Sequence, residues 1–160
     1  LLSQGARRIL FLGDSEHAEM SERYKGYRQA HVDSGTDVDP GCNCAIDITS
    51  AAAYAYINER IKQSGLDFDG IVCVSDMVAL GALKALKERY VGIPGDVGIV
   101  GYDDISIAEL MHPSLTTIRQ NTQQAAKLMV IELLNQLENR PTHNQVVETS
   151  LIVRRSTRHE

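Results

Sequence analysis

Short, continuous apolar runs alternate with segments of helical periodicity along this chain, and this alternation limits the possible folds. The runs "RILFLG" (8–13), "GIVCVS" (70–75) and "DVGIVG" (96–101) have no polar residue at every second position. Strands of this kind are buried on both faces, and helices between them serve as crossovers. The sequence therefore predicts an α/β fold in which helices cover both faces of a mostly parallel sheet.

The remaining elements follow from the same patterns. Weaker strands are predicted at "CNCAI" (42–46), "LTTI" (115–118) and the closing "QVVETSLIVRR" (145–155), and helices are predicted at 18–32, 50–65, 76–90, 105–111 and 122–138. We expect Ser50 to be the N-cap of the second helix and Gly65 to stop it. The helix at 105–111 is expected to be short.

Polar residues stand directly after three of the predicted strands. In open parallel sheets, ligands bind beyond the carboxyl ends of the strands. This rule selects Gly13–Ser15, Ser75–Asp76 and Tyr102–Asp104. The adjacent acids Asp103 and Asp104 could be a metal site, a catalytic pair, a helix cap or acceptors for hydroxyl groups, and spacing alone leaves these alternatives open.

Charge and cysteine usage exclude several classes of protein. The net charge of −5 argues against a surface built for nucleic-acid phosphates. No apolar run has the length of a bilayer span and no signal peptide opens the chain, so we expect no membrane contact and a cytoplasmic protein. Cys42, Cys44 and Cys73 lack zinc-like spacing, which favours a reducing compartment. Because Leu1 opens the chain, we expect it to be part of a longer protein.

No enzyme motif stands out. The histidines are scattered over predicted helix ends and loops, at His17, His31, His112, His143 and His159. The glycines form no phosphate-binding loop or dinucleotide pattern. A magnesium site at Asp103 and Asp104 would need a phosphoacceptor and a lysine that are not evident. We therefore predict no catalytic residues, no metal and no cofactor.

Two predicted helices carry more apolar surface than one sheet face can cover. Met77 and Leu80 lie on the polar side of the helix at 76–90, which favours a contact with another subunit. The helix that begins at Thr122 has an apolar stripe of Ala126, Met129, Val130, Leu133 and Leu137. Its partner is not evident within this chain.

Three motifs in this order and spacing resemble the effector-binding domain of LacI/GalR-family transcription regulators: "VSDMVALGALKAL" (74–86), "IPGDVGIVGYDDI" (93–105) and "PSLTTIRQ" (113–120). The resemblance covers essentially the whole chain and implies a type I periplasmic binding protein-like fold, in which two lobes clamp an effector. It implies that residues 1–118 form the C-terminal lobe, that 119–142 cross into the N-terminal lobe, and that 143–160 return. The DNA-binding helix-turn-helix and most of the first lobe would lie outside this chain.

The resemblance also implies five ligand-binding residues, each matched by its place in a family motif: Arg23, Ile48, Ser75, Asp103 and Gln120. Arg23 offers a planar fork of donors, and Asp103 accepts hydroxyl hydrogens. Ser75 stands where the family usually has asparagine. Ile48 replaces a stacking aromatic, which disfavours a strongly stacked base.

The other two acids are expected to cap helices. Asp76 begins the helix at 76–90, where a carboxylate suits the free amides and the helix dipole. Asp104 is expected to do the same for the short helix after it. On this interpretation Asp103 binds the ligand and Asp104 does not.

The function implied by the resemblance is effector sensing in a DNA-binding transcriptional regulator, and the resemblance favours a repressor. Its effector would be a small polar molecule such as a sugar or sugar derivative. The partners implied are a second copy, through Met77 and Leu80, and operator DNA, through the absent N-terminal domain. The alternative is a periplasmic sugar-binding protein of a transporter, which shares the fold and the cleft.

Overall fold

The computed structural model describes residues 1–158, which form one six-stranded sheet with four α-helices. His159, one of the five histidines considered above, lies outside the described residues. In chain order the elements are β1 Ile9–Leu12, α1 Ala18–Asp33, β2 Asn43–Cys44, α2 Ser50–Ser64, β3 Gly70–Cys73, α3 Asp76–Glu88, β4 Gly98–Asp103, β5 Thr116–Gln120, α4 Thr122–Leu137 and β6 Thr149–Ile152.

The strands lie in the order β2-β1-β3-β4-β5-β6. The first five are mutually parallel, and β6 pairs antiparallel with β5 at one edge. All four residues of β1 are buried, as the continuous apolar pattern predicts for a strand covered on both faces. The predicted α/β fold with a mostly parallel sheet is confirmed.

Helices cover both faces of the sheet. On one face the Tyr24 and Tyr27 rings of α1 pack on Phe11 of β1, with ring centroids 5.1 and 5.5 Å away. Val100 of β4 lines a groove on this face beside Tyr27, whereas Gly101, the next residue, faces Asp76 of α3. Successive residues of a strand point to opposite faces, so α1 and α3 lie on opposite sides of the sheet.

Two helix starts differ by one residue from the sequence prediction. Thr49, not Ser50, caps α2, and its hydroxyl accepts a hydrogen bond from the Ala52 amide at 3.1 Å. Ser75, not Asp76, caps α3 and accepts from the Val78 amide at 3.3 Å. Neighbouring residues of similar capping chemistry cannot be ranked without the backbone geometry. Gly65 ends α2 as predicted.

The short helix predicted at 105–111 is absent. The segment folds as turns, closed by hydrogen bonds from the Ala108 amide to the Ile105 carbonyl at 2.8 Å and from the Met111 amide to the Ile107 carbonyl at 3.0 Å. The Ile105 amide donates to the buried Asp76 carboxylate at 2.9 Å. Within this segment only the Met111–Ile107 bond spans four residues, so no continuous helical ladder forms.

Helix α4 has no buried residue. Six large apolar side chains on it are each at least half exposed, namely Met129, Val130, Ile131, Leu133, Leu134 and Leu137. The surplus apolar surface predicted for this helix is confirmed, and nothing within residues 1–158 covers it.

Helices α2 and α3 come close together at Gly81, where an added Cβ would overlap the Ser50 carbonyl oxygen. We expect Gly81→Ala to lower the free energy of unfolding by about 1–3 kcal/mol, because helix backbones must move apart. Gly26→Ala in α1 is the matched control, since no atom beyond its chain neighbours and the nearby backbone of its own helix lies within 4 Å of its Cβ position. It should leave the protein as stable or more stable, by up to about 1 kcal/mol. Equal effects in urea unfolding would contradict the close approach.

Candidate functional site

The carboxyl ends of four parallel strands meet at one edge of the sheet. Leu12 pairs in register with Cys73, Val72 with Val100, and Asp103 with Arg119. The residues that follow or end these strands therefore share one edge. This edge holds the three segments selected from the sequence.

Arg23 reaches this edge from α1. Its Nη1 donates to the Val74 carbonyl oxygen, just past β3, and lies 3.6 Å from the Met20 sulfur. The guanidinium carbon lies 3.8 Å from the centre of the Tyr102 ring of β4. The half-buried guanidinium is thus oriented by a backbone carbonyl and an aromatic face. Among the described residues, Nε and Nη2 donate no hydrogen bond.

Asp103 and Gln120 are in direct contact. The Gln120 amide nitrogen donates to Asp103 Oδ1 at 2.7 Å. Both residues are half-buried at the ends of β4 and β5. Asp103 Oδ2 accepts no hydrogen bond within residues 1–158, so this oxygen can accept from a ligand hydroxyl.

Ser75 and Ile48 differ in their surroundings. Ser75 is buried and its oxygen caps α3, which leaves its hydroxyl hydrogen to donate. Ile48 is 38% exposed and lines an open cavity of about 580 Å³ with Asp14, His17 and Asp47. The structure thus brings Arg23, Ser75, Asp103 and Gln120 to one edge, while Ile48 lines a groove beyond β2 in which none of these four takes part.

The prediction that Asp76 caps α3 is wrong. Its carboxylate is fully buried and points to the sheet, where it accepts from the Thr117 hydroxyl at 2.6 Å and from the Ile105 amide at 2.9 Å. Burial raises the pKa of Asp76, and the negative charges of Asp103 and Asp104 add to this effect against the hydrogen bonds, which lower it.

Asp104 is not a helix cap either, because no helix follows it. Its Oδ2 lies 2.5 Å from Arg119 Nε and its Oδ1 lies 2.7 Å from Arg154 Nη2. Burial alone would raise the pKa of Asp104, but the two arginines outweigh it and lower that pKa. Arg119 lies in β5 and Arg154 follows β6, so this acid ties together the two chain segments that flank α4.

Several of these contacts have no local signal in the sequence. Thr117 and Arg154 lie 41 and 50 residues from the acids they contact, and only the sheet order brings them together. The sequence placed Tyr102 at the end of a predicted strand, but no sequence pattern predicted that Arg23 would pack on its ring.

Other kinds of site receive no support from the described residues. Within residues 1–158, no three His, Cys, Asp or Glu side chains are grouped so that they could hold a metal ion. Cys42, Cys44 and Cys73 are buried free thiols. None of the helices in this part of the chain is both long and apolar enough to cross a membrane.

The Asp104 ion pairs predict a pH-dependent stability. We expect Asp104→Asn to lower the free energy of unfolding by about 2–4 kcal/mol at pH 7, because two arginines lose their partner. Because the folded-state pKa of Asp104 is lowered, its carboxylate stabilises the fold above the unfolded-state pKa of about 4. This stabilisation is lost as the pH falls through the folded-state pKa. The deficit of the variant should therefore shrink between pH 5 and pH 3 in urea titrations.

The exposed Asp37→Asn provides the control and should show no such trend. A deficit for Asp104→Asn that is constant with pH would contradict the ion-pair account.

Comparisons with known proteins agree with this fold. Residues 1–157 match the family described as periplasmic binding protein-like domain. The chain is 36% identical over 166 residues to the HTH-type transcriptional regulator RegA of Clostridium saccharobutylicum, covering 98% of this chain and 48% of RegA.

Among solved structures, a complex of the transcriptional regulator CelR with cellobiose matches with a TM-score of 0.90 at 31% identity, over 98% of this chain and 48% of that one. A LacI-family sugar-binding transcriptional regulator from Escherichia coli, complexed with phosphate, matches with a TM-score of 0.85 at 26% identity, over 97% of this chain and 56% of that one.

The chain spans about half the length of these relatives. The family match extends over almost all of the described residues, and the sheet order and helical layers agree with it. The chain belongs to the periplasmic binding protein-like domain family.

Proposed function

We propose that this chain is part of the effector-sensing domain of a cytoplasmic transcription regulator, a repressor, that binds a sugar or sugar derivative between two lobes. The observation that carries the proposal is the meeting of Arg23, Asp103 and Gln120 at the carboxyl edge of the sheet, with unused donors and an unused acceptor. An edge of this kind is where open α/β sheets bind ligands.

The chemistry of this edge suits a ligand rich in hydroxyl groups. Asp103 Oδ2 accepts one or two hydroxyl hydrogens, while the free nitrogens of Arg23 donate to hydroxyl oxygens. Gln120 holds the Asp103 carboxylate in place through its 2.7 Å hydrogen bond. Ser75 supplies a further donor. Ile48 lines the neighbouring groove and would supply apolar contact to a ligand that extends beyond β2.

The remaining wall of the cleft would come from a first lobe. On this proposal residues 1–118 form the second lobe, 119–142 cross into the first, and 143–160 return to the second. The exposed apolar side chains of α4 support this division, because a helix with no buried residue needs a further partner. Operator DNA would be bound by a domain outside this chain.

A regulator is favoured over a transport protein or an enzyme. The relatives named above are transcription regulators, and the structure of one of them was solved as a complex with cellobiose. The sugar-binding protein of a transporter would use the same edge for the same chemistry, but none of those relatives is described as one. No group on the described edge pairs a nucleophile with a base.

We propose that a second copy packs on α3. Met77 is 45% exposed, and Leu80, one turn on, lines a groove of about 740 Å³ between α2 and α3 with Tyr54 and Met111. This surface lies on the helix side opposite the buried stripe. A homodimer would cover it.

Binding of saccharides to the intact protein tests the sensing role. A calorimetric panel should begin with cellobiose and include maltose, D-ribose and a nucleoside. For the sugar that binds most tightly, Asp103→Asn and Arg23→Gln should each weaken binding about 10- to 100-fold, the usual effect of a lost hydrogen bond to a charged group. Asp37→Asn is the control. Unchanged affinity in both site variants would rule out this edge as the binding site.

Sedimentation of the intact protein tests the dimer. Leu80→Arg places a charge in the proposed contact and should give a monomer at micromolar concentration, because an unpaired buried charge is costly. Leu66→Arg, at an exposed position in the loop after α2 and outside the groove between α2 and α3, should leave the dimer intact. A Leu80→Arg protein that sediments as the wild type would exclude this face as the interface.

A further inference from the structure

We propose that Asp76 is a positioning residue for effector binding, whose buried carboxylate, together with Thr117, holds the turn that presents Asp103 to the cleft. The inference rests on the proposed function and concerns a residue that does not itself touch the ligand. Asp76 has no exposed surface, so it acts only through its neighbours.

The turn after β4 has an unfavourable backbone conformation. Asp103 has φ 116° and Asp104 has φ 54°, two successive non-glycine residues in a region that L-amino acids rarely adopt. Such a conformation persists only when surrounding contacts enforce it. It also sets the direction of the Asp103 side chain, since the side chain leaves from this backbone.

Thr117 and Asp76 hold this turn together. The Asp104 amide lies 3.4 Å from the Thr117 hydroxyl oxygen, and that hydroxyl donates in turn to Asp76 Oδ1 at 2.6 Å. The next amide, that of Ile105, donates to Asp76 Oδ2 at 2.9 Å. Both amides that follow Asp103 are therefore hydrogen-bonded to the same carboxylate, one directly and the other through the Thr117 hydroxyl.

The sheet is shaped to admit this carboxylate. A Cβ on Gly101 would overlap Asp76 Oδ1, so glycine is required at this position of β4. Both carboxylate oxygens are used as acceptors, which an amide side chain cannot reproduce because one of its two heavy atoms only donates.

Helix capping does not explain Asp76. Ser75 already caps α3 through the Val78 amide, and the Asp76 carboxylate makes no hydrogen bond to the first turn of its own helix in the described residues. Its two partners belong to the turn after β4 and to β5 instead. Through them Asp76 is connected to the two backbone amides that follow Asp103.

Thr117→Val tests this role without burying a new charge or changing side-chain size. In the intact protein it should increase the rate of amide hydrogen exchange at Asp104 and Ile105 by about 10-fold or more and weaken cellobiose binding about 10-fold, because a hydrogen bond to a charged group is lost. Thr117→Ser, which keeps the hydroxyl, should restore both. Asp76→Asn should act in the same direction as Thr117→Val.

Ser156→Ala is the matched control. The Ser156 hydroxyl is also fully buried and also joins β4 to β5, since it accepts from the Thr116 amide at 2.8 Å and donates to the Ile99 carbonyl at 2.6 Å. It lies at the other end of these strands. This variant should lower the melting temperature but leave cellobiose affinity and exchange at Asp104 and Ile105 unchanged.

The outcomes separate this inference from the proposed function. If Asp103→Asn weakens cellobiose binding but Thr117→Val only lowers the melting temperature, the sensing role stands and the positioning role is refuted. If the wild-type protein does not bind cellobiose, the hydrogen-exchange result alone tests the positioning role. Unchanged exchange at Asp104 and Ile105 in Thr117→Val then overturns the proposal.

Discussion

A buried carboxylate joins three segments that meet at the carboxyl edge of the sheet. Asp76, at the start of α3, accepts hydrogen bonds from the turn after β4 and from Thr117 in β5. Burying a charge is costly, so its partners must be complete. The contact requires Gly101 on β4 and leaves α3 to be capped by Ser75. On the inference drawn above, the direction of the Asp103 side chain depends on this one arrangement.

Two adjacent acids have different roles because the backbone turns between them. Asp103 stays beside Gln120 and keeps one oxygen free, whereas Asp104 turns away and contacts Arg119 and Arg154. These arginines flank α4, whose apolar surface is uncovered within residues 1–158. Asp103, the proposed ligand-binding acid, is therefore joined through the backbone to a residue that anchors the segments leading to and from α4. On the proposed function, this connection would link ligand binding to the position of the first lobe.

The sequence was sufficient for the α/β class and for the strands and the four long helices along the chain, because continuous apolar strands and helical periodicity are local patterns. It was also sufficient to place Asp103 and Ser75 at strand ends. It misassigned Asp76 and Asp104 as caps, since a carboxylate beside a helix start looks the same whether it bonds its own helix or a strand 41 residues away. The positive φ angles of the turn had no signal, because glycine does not occupy those positions.

A crystal structure of the intact protein with the most tightly bound saccharide of the panel tests the central claim most directly. The account predicts sugar hydroxyl groups within hydrogen-bond distance of Asp103 Oδ2 and the free nitrogens of Arg23, with the Asp76–Thr117 contact unchanged. A sugar bound in the groove between α2 and α3, with Asp103 still contacting Gln120 alone, would contradict it.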